Sequence, residues 1–92
     1  MYLEIVSPEA TLFQGEVEAI SVPGVQGSFQ VLNHHAAVVS TLVKGEAKIQ
    51  GKMEIAEAFQ SLFNQKVNET FLTLQNGGTL EMNGNKVILL VD

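Results

Sequence analysis

The side chains in this sequence with the most obvious capacity for chemistry are two adjacent histidines, His34 and His35. A metal site needs three or four ligands, and neighbouring side chains on an extended strand point to opposite faces. The sequence has no His-x-His or His-x-x-x-His spacing and no cysteine, so a metal centre is disfavoured. No carboxylate lies close in sequence to orient either ring as a general acid or base. The pair is better interpreted as part of a surface loop or of a binding contact.

The serines, glycines and carboxylates form no specific motif for catalysis or nucleotide binding. Ser7 and Ser28 lie in no Gly-x-Ser-x-Gly elbow. The glycines match neither G-x-x-x-x-G-K-[ST] nor G-x-G-x-x-G, the patterns that hold phosphates. Ten carboxylates are spread along the chain. A small hydrolase with paired carboxylates stays open as an alternative, and it predicts a concave site with two carboxylates within about 10 Å. We expect no cofactor.

Composition limits the class of protein further. The chain has 92 residues, enough for one domain with one modest core, and a formal charge of −5. All five basic residues are lysines. A nucleic-acid binder normally carries a basic, arginine-rich face, so that class is disfavoured. The longest apolar runs fall far short of the roughly 20 residues of a membrane-spanning helix.

Short alternating segments separated by turn residues dominate the chain and predict an antiparallel β-sandwich or barrel. Gly15 interrupts the second segment, which predicts a bulge or bend there. The apolar run 87–91 predicts a last strand buried on both faces, either inside the sandwich or against a partner. The strands are expected near residues 2–6, 11–14, 17–22, 29–32, 37–42, 46–49, 69–74, 79–82 and 86–91.

One segment has a different periodicity. Apolar residues recur at a helical spacing, which predicts a short helix at about 56–64, and 53–55 can still be extended. Such a stripe is more often part of the core than an interaction face. Its members are Ile55, Ala58, Phe59, Leu62 and Phe63.

The stretch from Ile20 to Ala37, ISVPGVQGSFQVLNHHAA, predicts a strand, a compact turn and a second strand, with small residues that permit close approach. With IVSPE and LFQGEV before it, and LQNGGTLEM and KVILLVD after it, the chain resembles the epsilon chain of bacterial and chloroplast ATP synthase, the delta chain of the mitochondrial enzyme. The pieces follow in the family's order. The resemblance covers nearly the whole chain except about residues 50–70.

This resemblance implies an all-β fold, a flattened antiparallel β-sandwich of two roughly five-stranded sheets, with the short helix near 56–64 as an insertion. It implies a non-catalytic subunit of the central stalk, the rotor of the complex. One side would pack on the gamma chain, and one end would rest on the polar loops of the membrane-embedded c-ring. The subunit would help couple proton or sodium translocation to ATP synthesis, and would be peripheral, at the cytoplasmic face of a bacterial inner membrane.

Carried over by position, the resemblance implies two contact sets. Gly27, Ser28, Phe29 and Gln30 would face the c-ring, and Ser7, His35 and Ala37 would face the gamma chain. Ser28 stands where the family often has an acidic residue, and the segment NHHAA lacks two prolines common in the family.

Many members of the family continue into two regulatory helices, whereas this sequence is expected to form one domain over 1–92 without them. The alternative from another class is a free-standing β-sandwich, unrelated to ATP synthase, that binds a small ligand or a partner.

Overall fold

The computed structural model describes residues 1–32 and 36–92. Over these ranges the chain forms ten short strands, and one 3-10 helix, Glu57–Leu62, lies between the sixth and seventh strands. The strands are β1 (Tyr2–Val6), β2 (Thr11–Glu16), β3 (Ala19–Gly24), β4 (Gly27–Leu32), β5 (Val38–Leu42), β6 (Gly45–Gln50), β7 (Phe63–Lys66), β8 (Glu69–Leu74), β9 (Gly78–Asn83) and β10 (Lys86–Val91).

The strands form two layers that are joined at a corner in β3. Residues 19–21 of β3 pair with β6, whereas Gly24 at its end pairs with Leu42 of β5. One layer, sheet 1, has the order β2-β1-β10-β9-β5, and the other, sheet 2, has the order β4-β3-β6-β8-β7. All neighbours are antiparallel except β1 and β10, which are parallel. The prediction of an all-β sandwich of two roughly five-stranded sheets is confirmed.

The core lies between the two sheets and follows the alternation of the strands. Inward positions are buried and outward positions carry the charges, because successive side chains of a strand point to opposite faces. Each fully buried aliphatic side chain stabilises the fold by about 1.5–3 kcal/mol. The largest fully buried aliphatic side chains are Leu3, Ile5, Leu80, Val87 and Leu89 in sheet 1 and Ile20, Val22, Val31, Ile49 and Leu74 in sheet 2.

The prediction of a bulge at Gly15 is wrong by three residues. The register between β1 and β2 shifts where Ile5 pairs with Phe13 and Val6 with Thr11, so the extra residue is Leu12. Gly15 pairs regularly with Leu3 inside β2. It is small for a packing reason, because a Cβ at Gly15 would lie 2.9 Å from the tip of the Phe13 ring.

The last strand is buried on one face of the sandwich only. Val87 and Leu89 are fully buried, whereas Ile88 is half-buried and Leu90 is 36% exposed on the outer face. The expectation that β10 is buried on both faces inside the sandwich is therefore wrong. Burial of its outer face against a partner stays a prediction.

The predicted helix near 56–64 is present as the 3-10 helix Glu57–Leu62. A 3-10 helix has three residues per turn, so a stripe at 3.6-residue spacing does not stay on one face. Phe59 is half-buried, but Ala58 and Leu62 are exposed. The apolar residues that enter the core flank the helix on extended backbone, and they are Met53, Ile55 and Phe63.

Residues 53–62, called the inserted segment below, close one open side of the sandwich. Phe59 and Ala56 line a shallow cleft together with Phe13 of β2, and the helix also contacts β7. β2 and β7 are the outermost strands of sheets 1 and 2. The segment therefore covers the seam between two sheet edges and contributes Ile55 to the core.

Candidate interaction surfaces

The four residues predicted to face the c-ring lie together at the start of β4. β3 and β4 pair from Ala19 with Leu32 to Gly24 with Gly27, which leaves a two-residue turn at Val25 and Gln26. Gly27 has a φ of +118°, a conformation that side chains with a Cβ rarely adopt. Gly27, Ser28 and Gln30 are exposed and Phe29 is half-buried. The four residues are consecutive on β4, but Phe29 packs against the core whereas Ser28 and Gln30 are open to solvent.

Close packing shapes the inner side of this hairpin. A Cβ at Gly24 would lie 2.8 Å from the Phe29 ring and 2.9 Å from the Gly27 carbonyl oxygen, so only glycine leaves the ring room. The Phe29 ring packs against the core from there. Phe29 thus anchors the start of β4 to the body of the sandwich.

A cleft of about 520 Å³ lies beside this hairpin. Two exposed valines lie on it, Val25 at 64% and Val39 at 72% exposure. Its lining contains no charged residue, although the chain carries fifteen, and it consists of Gly24, Val25, Gln26, Gly27, Ser28, Phe29, Val39, Ser40 and Thr41. We call this cleft the hairpin groove.

The β5 wall of the hairpin groove was not among the site residues expected from the sequence. The signal for it was the pair Val38-Val39, because neighbouring side chains on a strand point to opposite faces and only one of the two valines can point toward the core. Val38 packs against the core and Val39 is exposed.

Ser7, predicted to face the gamma chain, holds the turn between β1 and β2. Its backbone N–H donates to the Ala10 carbonyl at 2.8 Å. Its hydroxyl donates to the same carbonyl at 3.2 Å and accepts from the Ala10 N–H at 3.2 Å. Ser7 is half-buried. Because its hydroxyl is already hydrogen-bonded within the turn, a partner would contact a turn whose conformation is set without it.

Ser7 also lines a second cleft of about 420 Å³, at the end of the sandwich where β1 and β10 finish. Leu12, Leu72 and Val91 supply apolar lining, and Glu9 and Asp92 supply two carboxylates. Neither carboxylate has a side-chain hydrogen bond or ion pair within residues 1–32 and 36–92. Glu9 and Asp92 thus line the same cleft.

The structure places Ser7 and Ala37 at opposite ends of sheet 1. Ser7 follows Val6, which is level with Leu90, whereas the exposed Ala37 precedes Val38, which is level with Met82. β1 and β5 are three strand steps apart. From spacings of about 4.8 Å between strands and 3.3 Å per residue, the two residues lie about 20 Å apart. His35, the third predicted gamma contact, lies outside the described residues.

The outer face of sheet 1 lies between Ser7 and Ala37. Its centre is the half-buried Ile88, which pairs with Glu4 on one side and with Glu81 on the other. Glu4 accepts a hydrogen bond from the Gln14 amide at 3.1 Å and forms an ion pair with Lys86 at 3.4 Å. A partner that contacts both Ser7 and Ala37 would therefore cover a mixed face of apolar and paired charged groups.

The described part of the chain holds neither a metal-binding cluster nor a membrane-spanning helix. No three histidine, cysteine, aspartate or glutamate side chains there come close enough to hold a metal ion. None of its helices has the length and apolar character needed to cross a membrane. The metal hypothesis for His34 and His35 lies outside the described residues.

The described residues thus form a two-sheet sandwich whose candidate contacts lie on a hairpin tip and across one sheet face. The family model described as "ATP synthase, Delta/Epsilon chain, beta-sandwich domain" matches residues 1–92. The chain belongs to this ATP synthase delta/epsilon chain family.

Individual relatives agree with this assignment. Proteins named ATP synthase epsilon chain are 31% identical in Chlorobium limicola and 32% identical in Chlorobaculum tepidum, over 90 residues that cover 98% of this chain and 86% of each relative. One from Campylobacter hominis is 27% identical over 92 residues, which cover 61% of that relative.

A solved structure shows the same fold. A chain in the cryo-EM structure of the Tetrahymena thermophila mitochondrial ATP synthase, central stalk/c-ring, aligns with a TM-score of 0.72 and 17% identity. The alignment covers 100% of this chain and 63% of that one.

Proposed function

We propose that this chain is a non-catalytic subunit of the central stalk of an F-type ATP synthase, where it links the gamma chain to the c-ring. In that position it helps couple proton or sodium translocation to ATP synthesis, and it is peripheral to the membrane through its partners, at the cytoplasmic face of a bacterial inner membrane. The family match over residues 1–92 is the observation that carries this proposal. The names of the relatives and the fold of the stalk protein support it.

A stalk subunit has to transmit force between two partners, and the fold suits that task. The hairpin tip with Ser28 and the sheet 1 face between Ser7 and Ala37 are separate surfaces, so two partners can be held at once. Between them lies one close-packed core, and such interiors have low compressibility and transmit strain. Torque applied at one surface is therefore passed to the other with little internal deformation.

In this proposal Gly27, Ser28, Phe29 and Gln30 contact the polar loops of the c-ring. Ser28 is exposed on the strand that leaves the turn, and Phe29 anchors the same strand in the core. Ser7, His35 and Ala37 contact the gamma chain.

The gamma contact is tested by co-purification with the cognate gamma chain. Ala37→Asp introduces a carboxylate at an exposed position inside the proposed interface, and Ala58→Asp makes the same change at an exposed position of the 3-10 helix. A buried, unpaired charge is strongly destabilising, so Ala37→Asp is expected to weaken binding by about tenfold or more. Ala58→Asp is expected to bind like the wild type.

Failure of the wild-type chain to bind a folded gamma chain at micromolar concentration would overturn the proposal. That result would favour the free-standing ligand-binding sandwich. Equal weakening by Ala37→Asp and Ala58→Asp would remove Ala37 from the interface.

The ring contact is tested by photo-crosslinking in the assembled ATP synthase. A benzoylphenylalanine in place of Ser28 is expected to crosslink to the c subunit. The same group in place of Ser61, which is also exposed but lies on the 3-10 helix, is expected to give no such product. A c-subunit crosslink from position 61 and none from position 28 would overturn the ring assignment.

A further inference from the structure

The free edge of β5 in the hairpin groove has backbone groups that no described strand uses. β5 pairs with β9 along its length, but on its other side it pairs with β3 only at Leu42. The Val43 N–H donates to the Pro23 carbonyl at 2.9 Å. Because backbone groups of alternate residues point to the same side of a strand, those of Val39 also point away from β9, into the groove.

β2 and β7, the two outer edges next to the inserted segment, have protective features that β5 lacks. β2 has a bulge at Leu12, carries Glu16 and is partly covered by Phe59. β7 is four residues long and ends in Lys66. Charges, bulges, short length and covering segments are the usual means by which a sheet edge avoids pairing with other chains. β5 reads Val-Val-Ser-Thr-Leu, with no charge, and its pairing with β9 has no bulge.

We propose that the hairpin groove binds a short, extended and uncharged peptide segment of a partner protein, which pairs through its backbone with the edge of β5 at Val39. Backbone pairing supplies affinity in such strand addition, and the neighbouring surfaces select side chains. The nine lining residues are uncharged in a chain of net charge −5, so a charged segment would lose its hydration there without gaining an ion pair. Val25 and Val39 favour small apolar side chains at alternate positions.

This inference goes beyond the stalk function and does not depend on it. The groove adds the β5 wall to the hairpin residues Gly27, Ser28 and Phe29, and the mode of binding is pairing of backbone groups. It can be tested on the isolated chain.

The experiment is a ¹H–¹⁵N NMR titration with the capped pentapeptide acetyl-Thr-Val-Ser-Val-Thr-amide. The expected result is saturable shift changes confined to 24–29 and 38–42. A second probe, with glutamate in place of the central serine, is expected to bind more weakly by about tenfold or more, because its charge is desolvated without a partner. Two exposed valines then give a matched pair of variants, Val39→Lys in the groove and Val67→Lys, at 96% exposure, in the β7–β8 turn.

Val39→Lys is expected to weaken the first peptide by about tenfold or more, because a lysine on an edge strand opposes pairing. Val67→Lys is expected to bind the first peptide with an affinity within about twofold of the wild type, because surface changes remote from a site have small effects. Val39→Pro removes the N–H that points into the groove and keeps the β9 ladder, because proline is tolerated where its nitrogen faces outward from an edge strand. This variant is expected to bind the first peptide more weakly, while its ¹H–¹⁵N spectrum remains that of a folded protein.

Three results would overturn the proposal. They are the absence of saturable shifts, shifts that map to β2 or β7, and equal weakening by the two lysine variants. Sedimentation equilibrium tests whether a second copy of this chain occupies the groove instead. A wild-type dimer that Val39→Lys dissociates would assign the groove to that second copy and would also overturn the proposal. The gamma-chain experiment uses Ala37, outside the groove lining, and the peptide titration uses the isolated chain, so failure of the gamma contact and failure of the groove proposal are recognised separately.

Discussion

The side-chain amide of Gln65 donates a hydrogen bond to the carbonyl oxygen of Met53 at 3.0 Å. The same nitrogen lies 3.4 Å from the hydroxyl of Thr70, which is 1% exposed. One side chain of β7 thus holds the extended start of the inserted segment against sheet 2. Gln60 adds a similar bond further along, from its amide to the Ile55 carbonyl at 3.1 Å.

Gln65→Ala is expected to lower the free energy of unfolding by about 1–2 kcal/mol, because it leaves the partly buried Met53 carbonyl without its partner. Gln14→Ala is the matched control. It also removes a hydrogen bond of a glutamine amide, to Glu4 at 3.1 Å, but that bond is exposed to solvent. Its expected effect is about 0.5 kcal/mol or less. Urea unfolding of both variants measures the difference, and equal losses would contradict the role given to Gln65.

Ile55→Ala is expected to destabilise the fold by about 2–3 kcal/mol, because it leaves a cavity at a core position that is 7% exposed. Leu62→Ala removes a similar volume from the same inserted segment, but Leu62 is 51% exposed, so a loss below about 1 kcal/mol is expected. Thermal unfolding of the two variants decides which residues of the segment belong to the core. A larger loss for Leu62→Ala would favour the helical stripe expected from the sequence.

The difference in burial between Ile55 and Leu62 also shows which features of this segment could be predicted from the sequence. The helical spacing of apolar residues, Phe59 among them, predicted a helical element in this segment. Spacing alone does not distinguish a helix of 3.6 residues per turn from one of three residues per turn. Phe59 lines a cleft with Phe13 of β2, a strand more than 40 residues earlier in sequence. Such tertiary contacts leave no local signal.

The strands of the two sheets were easier to predict from the sequence than the contact surfaces. Alternation and turns such as Asn83-Gly84 predicted the strands, because both are local properties of the chain. The corner at Gly24 and the parallel pairing of β1 with β10 are long-range. The hairpin groove also depends on long-range contacts, because the corner in β3 brings Val39 next to the β3–β4 turn. The sequence therefore predicted only the hairpin wall of the groove and not the β5 wall.

Two glycines of the β9–β10 hairpin, Gly78 at the start of β9 and Gly84 in the turn, are expected to differ in their response to alanine. A Cβ at Gly78 would overlap the backbone carbonyl of Leu90, which cannot rotate away, so Gly78→Ala is expected to cost about 3 kcal/mol. Gly84 has a φ of +64°, but no atom lies within 4 Å of the position that a Cβ would take there, so Gly84→Ala should cost only the conformational penalty of about 1–2 kcal/mol. Equal losses in urea unfolding would show that β9 and β10 can separate locally.

Ser7 allows the role in the turn to be separated from the proposed contact with the gamma chain. Asparagine and aspartate can both accept the hydrogen bond from the Ala10 N–H that the Ser7 hydroxyl now accepts at 3.2 Å. Ser7→Asn and Ser7→Asp are therefore expected to keep the turn and to unfold within about 1 kcal/mol of each other. They differ in charge alone, so a partner that buries this turn should bind Ser7→Asp about tenfold or more weakly than Ser7→Asn, by the penalty for an unpaired buried carboxylate. Titration calorimetry with the cognate gamma chain measures the ratio. Equal affinities of the two variants would confine Ser7 to the turn and leave the gamma contact to the other end of sheet 1, at Ala37.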